Sequence, residues 1–207
     1  MNGLFFHISK TAGKSQLHII DKYDHLQCYN TDGYHDYGDD IKFDEYFSWT
    51  IVRNPFDRLA SVLGAWKWKN VHKTMADILD LAELGQKLNW KLSEMFNVVS
   101  KDIQRTDLWQ RTDMAILSHL VPMSLYIKIW EAKLGKPLSF IGRFENLTED
   151  WNFIKEQVCI TDKLLLLNRS EHDSYETYFN RKKIADRAIA LYEEDFENFK
   201  YHKGIIK

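Results

Sequence analysis

Short apolar runs alternate with longer stretches of helical spacing along this 207-residue chain. Residues 4–8, Leu-Phe-Phe-His-Ile, read as a short buried strand, because the run lacks the polar alternation of a half-exposed one. Small and polar residues interrupt it at 9–13, and a helix is expected from 15 to about 23. Residues 30–40 are polar and turn-rich and read as a loop. A second β-rich run, Tyr46–Val52, ends at Arg53. Asn54 and Pro55 then supply an N-cap and a first helical residue, and the helix carries Leu59, Val62, Leu63 and Trp66 on its apolar face. Helical periodicity prevails over 71–134, broken near Pro122. A third strand is expected at 138–142, with helices over 146–158 and 181–199. Strands separated by helices predict an α/β fold with a parallel sheet.

Composition narrows the partners. A net charge of −2 and a pI of about 6.4 give no global basic field for nucleic acid or an anionic membrane, so an anion site must be built from local cations. Repeats, low-complexity tracts and Pro/Gly linkers are absent, and the expectation is a single domain over residues 1–207. Neither a signal peptide nor a run near the ~20 apolar residues of a membrane span is present, which predicts a soluble, cytoplasmic protein. Cys28 and Cys159 lack metal-ligand spacing and read as buried thiols. Aromatic residues make up 14% of the chain, a supply that suits packing against flat sugar or nucleobase faces.

The chemistry concentrates where the strands end. After the first strand, the turn carries Lys10 and Lys14 and opens a helix; backbone amides and the helix dipole then favour an anion together. At the end of the second, Arg53 offers a fork of donors suited to a phosphate, and Ser61 can add a hydroxyl from the next helix. Both would emerge at the carboxyl edge of the sheet, where such folds bind ligands. Gly13-Lys14-Ser15 also matches the tail of a kinase phosphate loop. That motif needs an earlier glycine where Ile8 stands, and a kinase needs carboxylates for magnesium where the second strand ends in Arg53.

Two segments, Phe6-His7-Ile8-Ser9-Lys10-Thr11-Ala12-Gly13-Lys14-Ser15 and Arg53-Asn54-Pro55-Phe56-Asp57-Arg58-Leu59-Ala60-Ser61, resemble the cofactor-binding signatures of sulfotransferases. These enzymes use 3′-phosphoadenosine 5′-phosphosulfate (PAPS) and release PAP. Phe140-Ile141-Gly142-Arg143-Phe144-Glu145-Asn146-Leu147-Thr148-Glu149-Asp150, Leu167-Asn168-Arg169-Ser170 and the acidic-aromatic ending at 192–201 are similar to the carbohydrate-type branch that includes heparan sulfate 2-O-sulfotransferase and bacterial relatives. Ser9 and Lys14 depart from the usual Pro and Thr or Ser. The resemblance implies a P-loop-NTPase-like three-layer fold and sulfuryl transfer to an acceptor hydroxyl on a carbohydrate, with no metal required.

It further implies residue roles. Lys10 steadies the leaving group, while Thr11, Ala12, Gly13, Lys14 and Ser15 surround the 5′-phosphate. Lys14 either adds charge there or points to solvent. Arg53 and Ser61 take the 3′-phosphate, which Arg58 joins unless it forms a structural salt bridge. Arg169 and Ser170 approach the adenosine, with Tyr175 beyond. His35 is the expected general base, with His7, Glu45 and Asp113 as alternatives. Residues 66–135 form a helical acceptor-side region. Trp66-Lys67-Trp68-Lys69 offers either stacking faces and cations for an acidic sugar or an ordinary helix end. A sulfotransferase-like binding protein without turnover and a nucleotide kinase remain as alternative functions.

Overall fold

The computed structural model describes residues 1–30, 45–68, 74–91, 117–165, 167 and 173–204. In chain order its elements are β1 (Asn2–His7), α1 (Gly13–Ile20), β2 (Leu26–Asn30), β3 (Tyr46–Val52), α2 (Pro55–Trp68), α3 (Met75–Lys87), α4 (Met123–Leu134), β4 (Phe140–Arg143), α5 (Leu147–Gln157), α6 (Tyr175–Tyr178), α7 (Lys182–Leu191) and α8 (Glu193–Asn198). They fall into two compact units, one of Met1–Arg53 with Met123–Arg169, the other of Asn54–Pro122 with Ser170–Lys207.

The first unit holds a parallel sheet in the order β2-β1-β3-β4. Phe5 of β1 lies opposite Cys28 on one side and Trp49 on the other. A strand flanked and covered in this way must be apolar on both faces, which explains the run Leu4, Phe5, Phe6, all buried. Alternation sends Phe5, Trp49 and Ile51 to one face, against Ile19 and Ile20 of α1 and Trp151 and Ile154 of α5. Phe6 faces the other way, its ring 5.0 Å from Trp130 of α4. The result is a three-layer α/β arrangement.

Among the described residues, four strands stand where three were expected. The addition, β2, is an edge strand whose sequence, Leu-Gln-Cys-Tyr-Asn, is too short and mixed to stand out. The third predicted strand is β4, shifted to Phe140–Arg143. Cys28 is buried as expected, and desolvation, reinforced by the Asp21 charge, pushes its thiol up to about 12. Cys159 corrects the expectation: it is exposed, because it follows the C-cap of α5 with a left-handed backbone (φ 56°) that turns the chain outward.

Among the described residues, helices make up the second unit. Asn54 caps α2 as its sequence predicts, its Oδ1 accepting from the Phe56 amide at 2.9 Å and its carbonyl from the Arg58 amide at 2.8 Å. Thr74 and Asp77 form a capping box at the start of α3. The core of this unit gathers Phe56, Leu59, Val62 and Leu63 of α2 with Ile78 and Leu79 of α3 and Phe196 of α8. The helix expected over 181–199 is two helices, broken at Tyr192, where φ is −119° and an acidic first turn starts α8. Tyr192 is buried and donates to the Leu120 carbonyl at 2.6 Å. Among the described residues, no helix is long and apolar enough to cross a membrane.

Candidate functional site

Past the end of β1 the chain turns through residues 9–12 into α1. Lys10 and Ala12 both adopt left-handed backbone, φ 70° and 68°, without being glycine. Such a conformation costs an L-residue about 1–2 kcal/mol, so something must hold it. Three hydrogen bonds contribute. Thr11, fully buried, donates from Oγ1 to the Ile8 carbonyl at 2.7 Å. The Ser15 amide donates to the Ala12 carbonyl at 3.1 Å. Arg53, from the end of β3, donates from Nη1 to the Lys10 carbonyl at 3.1 Å.

The turn delivers Gly13 and Lys14 as the first residues of α1, where amides have no carbonyl four residues back to meet them. Left-handed residues in a turn draw successive amides to one side, and the helix dipole adds to the same field. Gly13 leaves room for the His7 ring: a Cβ there would run into the imidazole, which would have to shift. His7 therefore packs its ring against the turn, 5.9 Å from the ring of Phe5.

Arg53 is 7% exposed, and its guanidinium lies over the Phe144 ring, 4.1 Å from the centroid. Phe144 follows directly on Arg143, which pairs with Val52 across β3 and β4. Ser15 is buried and its Oγ accepts from the Leu167 amide at 3.0 Å, bringing the start of the 167–170 segment to the first turn of α1. Gln16, also buried, accepts from Trp49 Nε1 at 2.9 Å and pins that turn to the sheet.

Of the residues singled out from sequence, Lys10, Thr11, Ala12, Gly13, Ser15 and Arg53 therefore gather at the carboxyl ends of β1 and β3. Lys14 is exposed to solvent. Ser61 lies buried in α2 of the second unit. In that unit Arg58 is buried and donates to the Val121 carbonyl at 2.9 Å, a structural partner. Tyr175, at the start of α6, stacks on Phe56 with ring centroids 6.0 Å apart. Glu45 precedes the amino end of β3, about 25 Å of extended chain from Arg53. His35, Asp113, Arg169 and Ser170 lie outside the described residues. Sequence reasoning missed Phe144; its signal was an aromatic residue one position beyond a strand, beside another strand ending in arginine.

A turn linking a buried parallel strand to a helix, reached by an arginine from the neighbouring strand, belongs to an α/β protein of the P-loop-like class. A family model described as "Sulfotransferase family" matches residues 7–202, and the chain belongs to that family. No match was found among curated proteins or among solved structures.

Proposed function

We propose that this sulfotransferase uses PAPS as donor and a carbohydrate hydroxyl as acceptor, and that residues 1–207 act as one sulfotransferase domain. The supporting observation is the bond from Arg53 Nη1 to the Lys10 carbonyl, which joins the two signature segments in one place. The donor set fits an anionic nucleotide. Residues 8–16 contain amides, hydroxyls and two lysines but no carboxylate, and Arg53 adds a buried guanidinium.

When bound, PAPS would supply an activated sulfuryl group for transfer to an oxygen. The chain's own contribution is positioning and charge stabilisation, as in phosphoryl transfer. Lys10 stabilises negative charge on the departing phosphate oxygen. Amides of residues 12–14 hold the 5′-phosphate; the Ser15 hydroxyl, already accepting from Leu167, can donate to it as well. Arg53 and Ser61 hold the 3′-phosphate, and Arg169 and Ser170 approach the adenosine. His35 takes the proton of the acceptor hydroxyl. Residues 66–135 supply acceptor contacts, and the cationic and amide groups at the turn act without a metal.

An acceptor screen with labelled PAPS over sugars, phenols and small alcohols tests the reading. Sugars are expected to take the label, and Lys10→Ala and His35→Ala to abolish transfer. Arg53→Ala should weaken PAP about tenfold to a hundredfold, the worth of one charge-assisted bond. Unchanged PAP affinity in Arg53→Ala would overturn the 3′-phosphate role. PAP binding without transfer to any acceptor would mark a binding protein, and magnesium-dependent ATP consumption in place of PAPS turnover a kinase.

A further inference from the structure

Arg53 has two contacts that no nucleotide supplies. One edge of the guanidinium donates to the Lys10 carbonyl at 3.1 Å, and its face lies 4.1 Å over Phe144. A planar cation on an aromatic face has its tilt fixed by the ring as well as by its hydrogen bonds. Lys10 in turn has a left-handed backbone, and a bond to its carbonyl restrains the same Cα that carries the side chain. Phe144, Arg53 and Lys10 thus form a chain of contacts from the end of β4, through β3, to the turn after β1.

The geometry points to Phe144 as a positioning residue for Lys10, acting through Arg53. Its ring holds the guanidinium in the one plane that reaches the Lys10 carbonyl, and so sets the lysine against the group being transferred. This inference rests on the sulfotransferase reading for its catalytic consequence but not for its structural one.

Two variants separate the aromatic face from bulk: Phe144→Leu keeps an apolar side chain without the π face, and Phe144→Tyr restores the face. Acceptor-free breakdown of PAPS to PAP and sulfate, at saturating PAPS, is expected to fall about 10–100-fold in Phe144→Leu, the usual effect of misplacing a catalytic group by an ångström. Phe144→Tyr should restore it. Trypsin cleavage after Lys10, timed by mass spectrometry, should accelerate in Phe144→Leu and not in Phe144→Tyr, while cleavage after the exposed Lys200 stays constant.

Unchanged turnover and unchanged cleavage after Lys10 in Phe144→Leu would overturn the inference. So would a loss of turnover in Phe144→Tyr as large as in Phe144→Leu. If the unmodified chain neither binds PAP nor consumes PAPS, the sulfotransferase reading fails, and the proteolysis comparison still decides the role of Phe144.

Discussion

At the scale of single residues, the turn after β1 is a set of mutual accommodations. Gly13 gives up its side chain so that the His7 ring can lie against the start of α1. Gly13→Ala would drive a methyl carbon into that imidazole, well inside van der Waals contact, and the ring must shift. We expect a destabilisation of about 1–3 kcal/mol in urea unfolding, the usual cost of overpacking, and, on the proposed use of PAPS, weaker PAP binding. Removing the obstacle should recover most of the stability, so Gly13→Ala combined with His7→Ala is expected to be more stable than Gly13→Ala alone. Much of this turn was legible in sequence, because an apolar run stopping at small residues and lysines has few structural solutions. The contact of His7 with Gly13 was not, since it depends on which face of β1 the ring takes. The expected burial of Cys159 failed for a related reason: a cysteine without metal-ligand spacing is usually buried, but a left-handed residue after a helix turns the chain outward.

Among the elements, one polar anchor outside the candidate site has a readable pH signature. Lys22 and Tyr23, just beyond α1, both donate to the Asp162 carboxylate, which follows α5 in the chain. Those bonds, Lys22 first and Tyr23 second, hold the Asp162 carboxyl below its ordinary range, while the carboxylate raises the Tyr23 phenol. A folded-state pKa lowered in this way adds stability at pH values above the ordinary carboxylate pKa of about 4, and the contribution disappears as pH falls through the folded value. Asp162→Asn should therefore be less stable than the parent at pH 7, with the gap closing toward pH 3 as thermal unfolding is followed across pH. This anchor left no trace in sequence, because its partners are separated by about 140 positions. The N-cap of α2 was readable from Asn54 and Pro55 alone, as local signals are. By contrast, β2 became a strand only through pairing with β1, a neighbour that its five residues do not reveal.

At the scale of the molecule, the order β2-β1-β3-β4 places β1 and β3 inside the sheet and, among the described residues, leaves β2 and β4 with one partner each. Hydrogen exchange should find its slowest amides in β1 and β3 and faster ones in β2 and β4, because the interior strands open only with the sheet. Comparable protection across all four strands would contradict this order of stability. The alternation of strands and helices was sufficient to predict a parallel α/β fold, and the family match over residues 7–202 agrees with it. The division into two compact units was not legible, since each unit is assembled from distant parts of the chain and no linker marks a boundary.

Arg53 stands 43 residues after Lys10, and the bond between them crosses from one interior strand to the next. During synthesis the lysine turn leaves the ribosome well before the arginine that holds its carbonyl. An amino-terminal fragment ending before β3 would carry the whole glycine-lysine signature and lack the group that braces it. The bond that braces the turn therefore forms late, when β3 docks beside β1, rather than gradually as the chain grows.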